Sequence, residues 1–161
     1  PEMSRGLGDV YKRQILSWYL RKRGEVISLE RSRPLYEVGK EGLAALSGQD
    51  GEMTEALRRI QLLHADFRGF LETAAPNSFD VIYFDPMFRY PVKRKENSME
   101  GFRSAAVYDP LTEDVLQFAM RAARKKVIVK ERPFSALFRT GLFTEIHGKR
   151  GQTTAYGVIK L

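Results

Sequence analysis

The stretch from Phe79 to Phe88, Phe-Asp-Val-Ile-Tyr-Phe-Asp-Pro-Met-Phe, constrains the fold more than any other part of the chain. Val81, Ile82, Tyr83 and Phe84 in succession suit a strand covered on both faces. Pro86 has no N–H to give to a ladder, so the strand must stop there. A strand covered in this way belongs to an open parallel sheet flanked by helices. Ligands of such sheets bind just beyond the carboxyl ends of the strands. Asp85-Pro86-Met87-Phe88 is therefore expected at the rim of a pocket, with a carboxylate, a fixed backbone and a flat ring side by side.

The surrounding chain alternates helices with strands. Ile15–Leu20 reads as the end of a helix, followed by the cations Arg21, Lys22 and Arg23 and by Gly24. Residues 25–30 read as a strand ending in an acid. Arg33-Pro34 opens a helix to about Leu46, with Leu35, Val38, Leu43 and Leu46 on one face. After a loop at residues 47–51, Met53–Arg59 adds a helical turn or two. Ile60–Leu63 reads as a strand, Phe67–Ala74 as a short helix, and Pro76-Asn77-Ser78 as a turn. Residues 89–107 are basic and irregular. Leu111–Arg124 is a helix with Thr112 as its N-cap and Val115, Phe118, Ala119 and Ala122 on one face. Lys126–Lys130 is a strand, Pro133–Phe138 a helical turn, and residues 144–149 and 154–161 form a hairpin around Gly151-Gln152. This order implies an α/β fold, with a mostly parallel sheet, right-handed crossovers and a closing antiparallel hairpin.

Residues 1–14 have no clear period and resemble a translated adapter. They are read as a non-native tail, with one domain over residues 15–161. The competing reading is that Gly6-x-Gly8-Asp9 is a cofactor-cradling turn, a weak signal with no strand before it. The 161 residues are 43% hydrophobic and 11% aromatic, enough for one domain with a real core. The net charge of +7 favours a polyanionic partner, nucleic acid first. The alternative is a generally basic surface. With no Cys, disulfides, thiolate metal sites and Cys nucleophiles are excluded, which fits a reducing cytoplasm. No apolar run approaches the roughly 18 residues a membrane helix needs, and no charged start with an apolar core marks a secretory signal. His64 and His147 lack companions at metal-ligand spacing and are read as structural, so no metal is expected.

Three acids stand at the ends of successive strands: Glu30, Asp66 and Asp85. One parallel sheet would line them along one edge. The first suits ribose hydroxyls, the second an adenine amino group or its own backbone neighbourhood, and the third the reacting group. Taken singly, each also reads as a helix-capping acid. Lys130, at a later strand end, is a candidate to line the same cleft.

Asp85-Pro86-Met87-Phe88 resembles the Asp/Asn-Pro-Pro-aromatic loop of class I methyltransferases that act on exocyclic amines. More narrowly, Tyr83-Phe84-Asp85-Pro86-Met87-Phe88 is similar to the Tyr-Leu-Asp-Pro-Met-Phe segment of the small-subunit ribosomal RNA guanine-N2 methyltransferase family. Leu29-Glu30-Arg31-Ser32-Arg33-Pro34, Leu62-Leu63-His64-Ala65-Asp66 and Val127-Ile128-Val129-Lys130 resemble further stretches of that family. It carries Ser where Asp66 stands here, and it begins with a strand ending in Asp and a glycine-rich turn that have no match in this sequence. The resemblance implies a Rossmann-like class I methyltransferase sheet lacking its first strand, in a domain truncated at its N-terminus.

It further implies S-adenosylmethionine as cofactor, bound by Glu30, Arg31, Asp66, Phe67 and Asp85. Asp85 and the Pro86 carbonyl would hold the amine, and Phe88 would stack on the base, for about 1–3 kcal/mol. Lys93, Arg94, Lys95 and Arg103 would contact phosphates of ribosomal RNA or the small ribosomal subunit; a solvated loop is the other reading of these four. Arg31 and Phe67 also read as a surface cation and a core ring. Alternative activities are adenine-N6 or small-molecule amine methylation, or RNA binding without catalysis.

Overall fold

The computed structural model describes residues 8–20, 24–47, 51–86, 110–148 and 151–161. They fall into two compact units, one running to Phe67 and the other from Arg68 onward.

The first unit begins with helix α1 (Gly8–Leu20), which starts inside the segment read as a tail. Strand β1 (Val26–Glu30), helix α2 (Arg33–Ser47), helix α3 (Glu52–Arg58) and strand β2 (Ile60–His64) follow. β1 and β2 pair in parallel, from Val26 opposite Ile60 to Glu30 opposite His64. α3 is buried through Thr54, Ala56 and Leu57. Its packing on α1 is fixed by polar contacts: the buried Ser17 hydroxyl donates to the Ala56 carbonyl at 2.5 Å, and the Arg59 guanidinium donates to the Ser17 carbonyl at 3.1 Å. A buried hydroxyl is tolerated in such a place because it is hydrogen-bonded.

The second unit holds helix α4 (Phe67–Thr73), whose first residue belongs to the preceding unit, and strand β3 (Phe79–Phe84). Helix α5 (Glu113–Ala122), strand β4 (Ala123–Glu131), a 3-10 turn (Ala136–Arg139) and strands β5 (Glu145–His147) and β6 (Ala155–Lys160) complete it. The sheet order is β3-β4-β6-β5. β3 runs parallel to β4, while β6 is antiparallel to both β4 and β5. The core gathers where α5 lies on β4: Val115, Leu116, Ala119, Ala122, Val127, Val129 and Ile159 are all buried. Arg121, on α5, donates to the carbonyls of Leu71 and Glu72 at 3.0 and 2.8 Å. A cation on the last carbonyls of α4 satisfies groups the helix leaves open and meets the negative end of its dipole. The next turn is sharpened by Asn77 at φ 57°, a conformation Asn tolerates.

The alternating architecture and the antiparallel hairpin agree with the sequence reading, and three details are corrected. Among the described residues the strands form two sheets, because no described strand pairs with the second edge of β1 or of β3. β3 is not covered on both faces: Phe84 is buried, but Val81 is 45% exposed. β4 starts at Ala123, three residues before the expected Lys126, and takes over the end of the predicted helix. Thr112 holds the expected N-cap position of α5, where its carbonyl accepts from the Leu116 N–H at 3.1 Å, while its hydroxyl donates to the Asp114 carboxylate. No described helix is long and apolar enough to cross a membrane.

Gly157, on β6, leaves room for two rings. A Cβ there would lie 2.6 Å from the Phe138 ring and closer still to Phe143, and those rings already pack edge-to-face with centroids 5.1 Å apart. Gly157→Ala is expected to destabilise the protein by about 1–3 kcal/mol through overpacking. Chemical denaturation at equilibrium measures this.

Three exposed carboxylates of this unit lie below their ordinary values of 3.8, 3.8 and 4.5. Asp80 is lowered by Arg124 and then Lys125, Asp114 to about 2 by the Thr112 hydroxyl and then Arg68, and Glu145 by Lys160 and then His147. A depressed folded value means that the stabilising contribution is complete above the ordinary value and disappears as pH falls through the folded one. Tm should therefore fall as pH drops from about 4.5 to about 2, and by less in about 1 M salt, which screens surface pairs. Scanning calorimetry across that window checks both signs.

Candidate active site

The end of β3 carries the second unit's chemistry. Tyr83 pairs with Ile128 and Phe84 with Val129 in the parallel register, so Asp85 comes level with Lys130 one step later. Side chains level with each other on neighbouring strands share a face. The Lys130 ammonium lies 3.1 Å from Asp85 Oδ1, with the two side chains only 19% and 13% exposed. Tyr83 is two residues before Asp85, and its hydroxyl donates to Oδ2 at 3.4 Å. Both carboxylate oxygens thus have a donor from the sheet itself. Pro86 follows, half-buried, and ends the ladder.

The end of β1 carries the first unit's chemistry. The Ser32 N–H donates to Glu30 Oε1 at 2.8 Å, which fixes the Glu30 side chain at the turn. The Ala65 N–H donates to the Glu30 carbonyl at 3.1 Å, tying the turn that leads to Asp66 and Phe67 against the end of β1. His64 Nε2 lies 3.0 Å from the Arg31 carbonyl, and its ring packs against Tyr36 at 5.3 Å between centroids. These contacts hold the exposed His64 ring between the turn after β1 and helix α2. The Ser32 hydroxyl is buried with no hydrogen-bond partner among the described residues.

The expected site residues thus divide. Glu30, Arg31, Asp66 and Phe67 gather at the turns after β1 and β2 in one unit, and Asp85 and Pro86 stand after β3 in the other. Phe88, Lys93, Arg94, Lys95 and Arg103 lie outside the described residues. The pairing of Lys130 with Asp85, the Tyr83 contact and the buried Ser32 hydroxyl add to what the sequence reading supplied. Lys130 and Tyr83 were within its reach: one stands next to the end of a neighbouring strand, and the other sits at a same-face spacing of two. Nothing in sequence marks Ser32 apart from its place after Glu30. Among the described residues no group of His, Asp and Glu could hold a metal ion.

Comparison with known proteins gives a consistent result. The family described as "Putative SAM-dependent methyltransferase" matches residues 24–152. The uncharacterized protein YpiP of Bacillus subtilis is 31% identical over 146 residues, covering 91% of this chain and 56% of that protein. Ribosomal RNA small subunit methyltransferase J of Cellvibrio japonicus is 31% identical over 144 residues, covering 83% of this chain and 53% of its own. The chain spans about half the length of these curated relatives. Among solved structures, a SAM-dependent methyltransferase from Neisseria gonorrhoeae superposes with a TM-score of 0.58 at 16% identity, over 99% of this chain and 69% of that one. At that identity the likeness speaks for the fold.

Proposed function

From the premise that the chain belongs to the S-adenosylmethionine-dependent methyltransferase family, we propose that its full-length protein methylates an exocyclic amine of a nucleic-acid base, guanine N2 of small-subunit ribosomal RNA. The observation that carries this reading is the Asp85 carboxylate. It is mostly buried, held at both oxygens, and followed directly by Pro86 at the carboxyl end of a parallel strand. The name of the Cellvibrio japonicus relative supports ribosomal RNA as the substrate, and the net charge of +7 suits a polyanion.

Bound S-adenosylmethionine would supply an electrophilic methyl group, leaving as the neutral thioether S-adenosylhomocysteine when the sulfur–methyl bond breaks, and the proton displaced from the amine would pass to solvent. Glu30 accepts hydrogen bonds from ribose hydroxyls, the role open to a carboxylate at this strand end in dinucleotide-type folds. The fit is supported by the oriented Glu30 carboxylate and the buried Ser32 hydroxyl, an acceptor and a donor one turn apart. Arg31, Asp66 and Phe67 complete that edge, with Asp66 toward the adenine amino group.

The guanine amine is a poor nucleophile because its lone pair is delocalised into the ring. Asp85 and the Pro86 carbonyl accept hydrogen bonds from the NH2, hold it in line for attack and favour a pyramidal nitrogen, so rate comes mainly from positioning. Phe88 stacks on the base. Lys93, Arg94, Lys95 and Arg103 hold phosphates and so orient the RNA without specifying sequence.

The full-length protein is expected to transfer labelled methyl from S-adenosylmethionine to ribosomal RNA or small subunits, with N2-methylguanine found by nucleoside mass spectrometry. N6-methyladenine would move the substrate to adenine. Salt-dependent RNA binding with no transfer would reduce the protein to a binding domain. Asp85→Ala should lower kcat about 100-fold or more, with a cooperative melt retained. Separately, Glu30→Ala should weaken S-adenosylmethionine binding about tenfold, the effect of losing a hydrogen bond to a charged group, as read by calorimetry.

A further inference from the structure

We propose that Lys130 is the positioning residue for Asp85, acting on the amine only through that carboxylate; the inference rests on Asp85 being the amine acceptor. Three observations carry it. The parallel register runs to Phe84 opposite Val129, and Asp85 and Lys130 are the next residue of each segment, so the paired backbones just before them limit how far the two groups can separate. The ammonium is 3.1 Å from Oδ1, and both side chains are largely withdrawn from water, where an ion pair is screened little. The Tyr83 hydroxyl takes the other oxygen at 3.4 Å, so the carboxylate is held from both sides. This pair also differs from the other ion pairs of the unit. Asp80, Asp114 and Glu145 meet their cations with side chains that are between 39% and 66% exposed.

The arrangement has a chemical consequence. A carboxylate free to rotate presents its lone pairs in many directions. With Oδ1 tied to Lys130 and Oδ2 to Tyr83, the plane of the carboxylate is held, and with it the directions in which it can accept from a substrate N–H. The Lys130 charge also balances that of Asp85. The paired group therefore accepts from a neutral amine without holding an uncompensated negative charge in a poorly hydrated place. A conjugated base amine is neutral and fits. An alkylammonium would bring a second cation against Lys130.

The test compares the full-length protein with Lys130→Met, Lys130→Gln and Lys130→Arg, each alone, and Lys130→Met in the Asp85→Ala background. The assay is methyl transfer to ribosomal RNA, with Tm recorded in parallel. Lys130→Met should lower kcat by about 10- to 100-fold, the scale expected for a misplaced reacting group. The KM for S-adenosylmethionine should change by less than about threefold, because Lys130 acts on the amine side. Lys130→Arg should recover most of kcat, since it restores a cation. Lys130→Gln keeps a donor without the charge and should fall between the two; it also supplies the measurement should Lys130→Met not fold. In the Asp85→Ala background the change at residue 130 should leave kcat where Asp85→Ala alone puts it. A purely structural Lys130 would lower Tm and leave kcat within about threefold of the unmodified protein. That outcome, with Asp85→Ala inactive, overturns the inference and spares the site. Full activity in Asp85→Ala overturns the reading of the site itself.

Discussion

The parallel register between β3 and β4 is the constraint on which the second unit depends. Val127 and Val129 are fully buried on the face of β4 that α5 covers, and Lys130 follows on the other face. Side chains alternate along a strand, so a slip of one residue would turn both valines out and drive Lys130 toward the core. Burial of two methyl-rich side chains thus sets which residue of β4 stands level with Asp85. The chemistry at the end of β3 is inherited from hydrophobic packing on a neighbouring strand.

Ion pairs then bracket β3 at both ends. Asp80, near its start, meets Arg124 and Lys125 at 2.5 and 3.1 Å, while Asp85, after its end, meets Lys130 at 3.1 Å. Geometry alone does not separate these contacts, but solvent does. The pair at the start is about half exposed and contributes little to stability. The pair at the end is mostly buried, and there the loss of one partner leaves the other charge poorly hydrated. One strand therefore carries a dispensable pair at one end and a consequential pair at the other.

Most of this organisation was legible from local patterns. The Val-Ile-Tyr-Phe run, the cut at Pro86 and the periodic apolar face of α5 gave the elements and the place of Asp85. What was not legible depends on neighbours far along the chain. Val81 looks like core because Val, Ile, Tyr and Phe are contiguous, yet it is 45% exposed, because which face of a strand is covered depends on elements distant in sequence. Ala123 looks like helix because it continues the face of Ala119 and Ala122, yet it pairs with Phe79 and begins β4. The Gly157 gap under Phe138 and Phe143 joins residues from three segments, and no period announces it. The acids were each located correctly at strand ends, whereas the partner of Asp85 required the register.

That register also bears on how a carboxylate serves a weak nucleophile. A carboxylate whose oxygens are each held by a donor of the protein is fixed in orientation. Asp85 is occupied at both, by an ammonium and a phenol. What such a group keeps is direction. For an amine whose lone pair lies in the ring's π system, direction is the scarcer requirement, because the nitrogen must rehybridise before it can attack. In the proposed reaction Asp85 therefore works by fixing where the N–H bonds point, and the sheet contributes to the rate by fixing Asp85.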